Sequence, residues 1–309
     1  MQTALLPSGV CLAYYDSGTP SVPIYDTIIF CHGVSYNGNA FTPLFPFADS
    51  LGVRLISYNQ RGYAHSTSLT DAQAALSPGD SLAQTFLFVQ DLLDFIDYIL
   101  STLSLPRKPI ILGWSKGTYL TLAIAAPDYL PRNQRAAVLS KISCIVLYEP
   151  PGSAFGIPLT KDYLAAMGSS LKSSDNSLLA AKFAEWVSGV YEPGSDEPSS
   201  ILHHTLSSEF LEKTSEPHMV RHGFYWGLAP NPVSQSSFTL SALTQTDVPI
   251  GVCRNGKTAG YLVAAFDEAR KMGCKHVKVL DDEGNHFAFI THPQQWLTQI
   301  SEFVKEILT

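Results

Sequence analysis

Short apolar runs alternate with helical periodicities over much of the chain. The runs typical of buried strands cover residues 27–31, 53–58, 109–112, 142–148, 248–253 and 277–280. Helical spacing is clearest over 81–100, where it predicts a helix with one buried face, and over 293–308. The residues predicted on that face are Phe86, Val89, Leu93, Ile96 and Ile99. Strands that alternate with helices predict an α/β fold, with a mostly parallel, twisted sheet and helices on both faces.

Residues 152–246 interrupt this alternation. They combine helical patches with clusters of serine and proline and with many aromatic residues and histidines. Open α/β sheets bind ligands at the carboxyl ends of their strands, and an insertion at this point of the chain is expected to cover that edge. We therefore predict one core, formed by 1–151 and 247–309, and an inserted helical cap at 152–246. Trp186, Tyr225 and Trp226 are the candidate substrate contacts of the cap.

One pentapeptide carries the strongest chemical signal. Residues 113–117 read Gly-Trp-Ser-Lys-Gly, directly after the run 109–112 and before a helical stretch at 118–126. A Gly-x-Ser-x-Gly segment between a strand and a helix forms a sharp turn that holds a serine hydroxyl clear of the backbone. Ser115 is therefore the candidate nucleophile, although serine is also a common helix cap.

Acyl transfer at a serine also needs two backbone donors for the oxyanion. The run 27–31 leads into His32, Gly33 and Val34, where a glycine lets the chain turn so that the Val34 amide faces the serine. The Lys116 amide, at the start of the helix, is the second candidate donor because a helix N-terminus favours an anion. Gly33 and Trp114 are further candidate substrate contacts.

The serine needs a base and a carboxylate that orients the base. His286 follows the last predicted strand and is the candidate base. The loop at 254–260 holds no carboxylate, so the candidate acid is Glu149, which ends the strand-like run 142–148. Asp281, Asp282 and Glu283 are the alternatives close to the histidine, but loop acids so near in sequence usually face solvent or cap turns.

Four elements occur in a characteristic order. They are His-Gly at 32–33, Arg-Gly-Tyr-Ala-His-Ser at 61–66, the pentapeptide at 113–117, and Gly-Asn-His at 284–286. In this ordered set the chain resembles the α/β-hydrolase superfamily over nearly its full length. The resemblance implies an α/β-hydrolase fold with a Ser, acid, His triad. The placement of Glu149 and the loop around Asn255 further resemble fungal lactone hydrolases of the zearalenone-degrading kind. Asn59 departs from the family pattern, which usually has an aspartate there.

The amino-acid composition limits the classes of binding partner and the cellular compartment that we expect. The net charge is −7 without a Lys/Arg cluster, which argues against nucleic acid or an anionic membrane as a partner. No apolar stretch reaches the length of a membrane span, and no secretory signal is recognisable. The five cysteines are scattered and lack metal-ligand spacing, so we expect reduced thiols, a cytoplasmic protein, and neither metal nor cofactor. The sequence does not indicate an oligomeric state.

These signals together predict a serine hydrolase. Its substrate would be a carboxylic ester or lactone of a mostly apolar small molecule, cleaved through Ser115, His286 and Glu149. Two alternatives stay open at this point. The same triad could cleave carbon–carbon bonds or thioesters, or the fold could serve as a ligand-binding protein with little turnover. The missing carboxylate at 254–260 is the argument for the binding protein.

Overall fold

A computed structural model describes residues 1–74, 81–126, 130–151, 207–216, 219, 246, 248–254, 271, 277–281 and 286–309. The predicted cap at 152–246 falls mostly outside these residues, and the division into core and cap stays a prediction.

The described residues form an eight-stranded sheet in the order β1-β2-β4-β3-β5-β6-β7-β8. Strand β2 pairs antiparallel with β1 and with β4, and every other pair from β4 to β8 is parallel. The strands are β1 Gln2–Leu5, β2 Cys11–Asp16, β3 Asp26–Cys31, β4 Val53–Tyr58, β5 Ile110–Trp114, β6 Ile145–Tyr148, β7 Ile250–Arg254 and β8 Val277–Asp281. The predicted α/β class and mostly parallel sheet are confirmed.

Helices lie between and after these strands. Two 3-10 helices, Gly38–Leu44 and Asp49–Leu51, flank the first short α-helix. The α-helices are α1 Phe45–Ala48, α2 Asp71–Ala74, α3 Ser81–Thr102, α4 Gly117–Ala125, α5 Arg132–Leu139, α6 Ser208–Thr214, α7 Ala288–Thr291 and α8 Pro293–Leu308. Helix α8 has the predicted bounds, and α3 continues two residues beyond the predicted end.

The predicted buried face of α3 was wrong at one position. Phe86 is 46% exposed, and Leu93 is only partly buried. At about 100° per residue, Phe86 lies roughly 120° around the helix from Leu92, outside the stripe that faces the sheet. The buried side chains of this stripe are Phe88, Val89, Leu92, Phe95, Ile96 and Ile99.

The sheet separates two apolar clusters because successive strand residues point to opposite faces. Ile29 and Ile111 pack with α3 and α4 on one face. Phe30 and Leu112 pack with α8 and the 3-10 helix Gly38–Leu44 on the other. The three predicted strand cysteines, Cys31, Cys144 and Cys253, are buried. None of the described helices has the length and apolarity to cross a bilayer.

The topology indicates that a ligand would bind at the carboxyl ends of the central strands. The chain leaves β3 for β4 on one side and continues from β5 to β6 on the other side. Where neighbouring parallel strands connect in opposite directions, a crevice opens beyond their carboxyl ends. Strands β3 and β5 are such neighbours, and the segments that follow them contain Gly33 and Ser115.

Candidate active site

Backbone strain is concentrated in the loops at the carboxyl ends of the central strands. Four described residues other than glycine have a positive φ, and each follows the carboxyl end of a different central strand: Ser35 (70°), His65 (64°), Ser115 (53°) and Glu149 (50°). Left-handed conformations are unfavourable for residues with a Cβ and persist where the surrounding structure holds them, often at functional sites. The strain therefore singles out the loops after β3, β4, β5 and β6.

Ser115 occupies the turn between β5 and α4. Its backbone N–H donates to the carbonyl oxygen of Tyr148 in β6 at 2.8 Å, and its own carbonyl accepts from the Thr118 N–H at 3.0 Å. These bonds fix the turn between two strands and the first turn of α4. The left-handed φ at Ser115 is the conformation that lifts a serine side chain out of the strand at such a turn.

Three glycines allow the chain to pass close to this turn. A Cβ on Gly113 would lie 2.7 Å from the carbonyl oxygen of Gly117, and a Cβ on Gly117 would collide with the carbonyl oxygen of Cys31. A Cβ on Gly33 would lie 3.0 Å from the Cβ of Ser115. Only glycine fits at positions 113 and 117, whereas a Cβ at position 33 would require its neighbours to move by a few tenths of an ångström. The predicted neighbourhood of Gly33 and Ser115 is therefore present in the structure.

The imidazole of His32 holds the loop after β3. The ring is fully buried, and its Nε2 accepts from the backbone N–H of Gln60 at 3.0 Å. Its Nδ1 must then carry the proton and donates to the Gly33 carbonyl at 2.8 Å. The peptide between Gly33 and Val34 is trans, so its N–H points away from the ring. That orientation suits an amide that donates to an oxyanion.

We expect this histidine to make stability depend on pH. Burial lowers the pKa of His32 from 6.5 to about 4. As pH falls, the unfolded chain therefore takes up a proton before the folded one, and stability is lost between pH 6.5 and about 4. The wild type should lose about 3 kcal/mol more than His32→Asn between pH 7 and pH 4, measured by urea unfolding. Equal losses in the two proteins would contradict this role.

His286 and Glu149 meet beyond the ends of β8 and β6. The Nδ1 atom of His286 lies 3.5 Å from Oε2 of Glu149, and their side chains are 17% and 2% exposed. The Glu149 N–H donates to the carbonyl of Cys253 in β7 at 2.9 Å, which anchors the strained turn. The indole N–H of Trp114 donates to the carbonyl of His286 at 3.1 Å and so restrains the backbone of that loop.

The position of Trp114 argues against its predicted role as a substrate contact. Its side chain is 1% exposed and packs against the rings of Tyr36, Phe41, Phe287 and Phe289 at centroid distances of 5.0–5.8 Å. Side chains alternate along β5, and this one points to the face covered by α8. Trp114 instead supports the histidine loop from within the core.

Comparisons with known proteins agree with this fold. The model of the Alpha/beta hydrolase family matches residues 28–299. The chain belongs to this family. A comparison of the sequence with curated proteins finds no match.

Several solved structures resemble this α/β hydrolase over nearly the whole chain. An esterase from Exiguobacterium antarcticum is 15% identical, with a TM-score of 0.65 and coverage of 98% of each chain. The enol-lactonase from Burkholderia xenovorans LB400 is 14% identical, with a TM-score of 0.58 and coverage of 98% of this chain and 100% of the other. A hydrolase from Pseudomonas aeruginosa PA01 is 16% identical, with a TM-score of 0.59 and coverage of 98% and 97%. At these identities the likeness shows the fold alone.

The remaining predicted residues have different outcomes. Lys116 is the cap residue before α4, and its side chain is half-buried. Burial lowers the pKa of its ammonium group well below the usual range. The predicted cap contacts Trp186, Tyr225 and Trp226 lie outside the described residues. The alternative acids Asp282 and Glu283 also lie outside them, and the side chain of Asp281 is not described.

The loop after β4 contributes residues that the sequence patterns did not single out. Gln60 holds His32 twice, through its backbone N–H and through its side chain, which donates to the His32 carbonyl at 2.7 Å. Its neighbour Arg61 forms a buried, bidentate ion pair with Asp91 at 2.6 and 2.9 Å, which fixes the loop to α3. In the sequence, the only signal that could have pointed to Gln60 is its position directly before the recognised segment 61–66.

Asn59 has a structural role in the same loop. Its side-chain oxygen accepts from the Gly38 N–H at 2.8 Å, and its amide donates to the Ala64 carbonyl at 2.7 Å. The departure from the family's usual aspartate thus serves loop packing. The described part of the chain contains no cluster of three or more His, Cys, Asp or Glu side chains that could hold a metal ion.

Proposed function

We propose that this α/β hydrolase is a serine hydrolase that cleaves a carboxylic ester or lactone. Ser115 is the nucleophile, His286 the general base and Glu149 the carboxylate that orients the base. The reaction passes through an acyl-enzyme that water then hydrolyses, and it needs no cofactor.

The contact between His286 and Glu149 is the observation that carries this proposal. A carboxylate 3.5 Å from Nδ1 keeps the proton on that nitrogen, so Nε2 is free to accept the serine proton. Catalytic hydrogen bonds of enzymes without substrate are often this long. The contact also answers the argument for a binding protein, which rested on a missing acid. Glu149 is almost fully buried, so its charge acts in a medium that screens it weakly.

The chemistry proceeds from this arrangement in two steps. The oxygen of Ser115 attacks the carbonyl carbon while its proton passes to His286, and the Val34 and Lys116 amides bind the resulting oxyanion. His286 then gives the proton to the leaving alcohol. In the second step a water molecule attacks the acyl-enzyme by the same route and regenerates the serine. Glu149 stabilises the imidazolium that forms in each step.

The substrate class rests on coarser observations. The aromatic-rich segment 152–246 favours a mostly apolar small molecule. The lactone half of the proposal is supported by the placement of Glu149, which resembles the fungal lactone hydrolases named above. An esterase and an enol-lactonase share the fold, and this supports the choice of an ester or lactone bond. Free thiols at Cys11, Cys31 and Cys144 are typical of a reducing compartment such as the cytoplasm.

The test is covalent labelling by a fluorophosphonate, read by intact-mass spectrometry. The serine oxygen bonds to phosphorus, fluoride leaves, and the serine proton passes to His286. We expect a single adduct on the wild type and none on Ser115→Ala. A folded wild type that takes up no label, or a variant that still takes it up, would exclude the proposal. The unlabelled wild type is then assayed against aryl esters and lactones to assign the bond, and the labelled protein, whose serine is blocked, is the inactive control.

A further inference from the structure

A carboxylate outside the proposed triad joins three parts of the molecule. Glu216 follows α6 and lies in the segment predicted as the cap. It is only 8% exposed. Its Oε1 accepts from the side-chain amide of Asn37 at 3.0 Å and from the backbone N–H of Ala64 at 3.0 Å. Asn37 belongs to the loop after β3, and Ala64 belongs to the loop after β4. One buried oxygen thus connects the two loops that surround His32 and Gly33.

The backbone around Glu216 also pairs with the loop after β3. The Glu216 N–H donates to the carbonyl of Ser35 at 2.6 Å, and the Asn37 N–H donates to the carbonyl of Thr214 at 2.9 Å. Between these bonds, Tyr36 and Ser215 form an antiparallel bridge. The segment Thr214–Glu216 therefore pairs through one antiparallel bridge with residues 35–37, which begin immediately after Val34.

This pairing holds a strained backbone. Ser35 has a φ of 70°, a conformation that persists only where neighbouring contacts enforce it. The hydrogen bond from the Glu216 N–H restrains the carbonyl of Ser35. Ser35 directly follows the proposed oxyanion donor Val34. The Val34 N–H belongs to the Gly33–Val34 peptide, one residue before Ser35, so a change in the conformation of Ser35 would displace it through the backbone of Val34.

Helix α6 packs beside both ends of the proposed site. Phe210 stacks on Tyr36 at a centroid distance of 6.3 Å and meets the edge of Phe287 at 6.4 Å. Tyr36 lies in the loop after β3, and Phe287 follows His286. The apolar packing of Phe210 positions the segment Thr214–Glu216. The hydrogen bonds of Glu216 then fix the loops after β3 and β4. A charged acceptor makes hydrogen bonds about twice as strong as a neutral one.

From this network we infer that Glu216 is a positioning residue for the oxyanion hole. It holds the loop that carries the Val34 amide through Ser35, Asn37 and Ala64. The inference rests on the proposed function, because an oxyanion forms only if Ser115 attacks a carbonyl. Glu216 itself does not touch the reacting atoms.

The effect of removing this carboxylate should appear in turnover. Oxyanion donors act on the transition state, so a displaced amide lowers kcat and leaves KM nearly unchanged. Loss of a whole donor costs about 10²–10³-fold, and a displacement of about 1 Å costs up to about 10²-fold. We expect Glu216→Ala to lower kcat on 4-nitrophenyl butyrate by about 10- to 100-fold. Glu216→Gln keeps an oxygen at the same place and should restore most of the activity.

A second readout separates positioning from general stability. Phenylboronic acid bonds to the serine oxygen as the serine proton passes to His286, and the tetrahedral adduct places an oxygen in the oxyanion hole. Its inhibition constant should rise about 10- to 100-fold in Glu216→Ala, in parallel with the loss of kcat. Glu212→Ala is the matched control, because Glu212 is an exposed carboxylate on α6, the helix that precedes Glu216. It should leave kcat and the inhibition constant unchanged.

Amide hydrogen exchange tests the same inference without turnover. Residues 33–37 should exchange faster in Glu216→Ala than in the wild type and in Glu212→Ala. If Glu216→Ala does not fold, Glu216→Asp withdraws the oxygen by one methylene and should show the same pattern. An unchanged kcat, inhibition constant and exchange rate would overturn the inference. A wild type that is not labelled at Ser115 would overturn the proposed function instead, and exchange would still decide whether Glu216 holds the loop.

Discussion

Replacing Ser115 by alanine should lower kcat for ester hydrolysis by about 10⁶-fold, to a level about 10³–10⁴-fold above the uncatalysed rate. Alanine tolerates the left-handed φ of 53° about as well as serine does, so the turn and its hydrogen bonds should persist. The loss would then report the missing oxygen alone. Initial rates on 4-nitrophenyl butyrate and on an aliphatic lactone measure it, with the circular dichroism of both proteins compared.

Ser140→Ala is the control for this change. Ser140 is exposed at the end of α5, and its hydroxyl donates to the carbonyl of Ala137 within the same helix. We expect its kcat and KM to equal those of the wild type. Residual activity of Ser115→Ala above about one per cent of wild type would show that another group attacks the substrate, since a nucleophile knockout removes nearly all turnover.

Glu149→Gln should lower kcat by about 10⁴-fold, the second largest effect that we expect. The amide is nearly isosteric with the carboxylate. It can donate a hydrogen bond to Nδ1 of His286, which would leave the proton on Nε2 and block acceptance of the serine proton. It also removes the negative charge that stabilises the imidazolium. KM should change little, because Glu149 is almost fully buried beside the histidine.

Asp282→Asn separates the two hypotheses for the acid. Asp282 lies four residues before His286 and is one of the three alternatives that the sequence leaves open, with Asp281 and Glu283. We expect its kcat to stay within about threefold of the wild type, as for a solvated loop carboxylate. The reverse order of effects, with Asp282→Asn the more damaging change, would assign the triad acid to the histidine loop.

The sequence predicted the central strands because each is a nearly continuous apolar run. Strands β3 and β4 are buried along their whole length, as parallel strands covered on both faces must be. Strand β1 lies at the edge of the sheet and mixes exposed with buried residues, and β2, between β1 and β4, mixes buried with half-buried ones. Their short segments carry no comparable signal. Helix α3 shows the limit of periodicity, since Phe86 fits the helical spacing of the apolar residues yet lies about a third of a turn from the centre of the buried stripe.

The candidate site was predictable where chemistry requires a local motif. Ser115 and His286 belong to such motifs, and Glu149 followed from the expectation that its strand neighbours the nucleophile strand. The register of β5 and β6 confirms that neighbourhood, with Trp114 opposite Tyr148. The contacts of Glu216 could not be predicted in this way. They join residues 152 and 179 positions apart, and no local pattern marks either end.

The strained turns at Ser115 and Glu149 have an evolutionary consequence. Each left-handed residue with a Cβ costs about 1–2 kcal/mol that glycine would avoid. Selection for stability alone would therefore replace both side chains by glycine, and only selection for chemistry opposes that drift. A duplicated copy of the gene that no longer needs turnover should acquire glycine at positions 115 and 149. The residues found at these two positions in the members of a lineage would thus indicate which members have retained the activity.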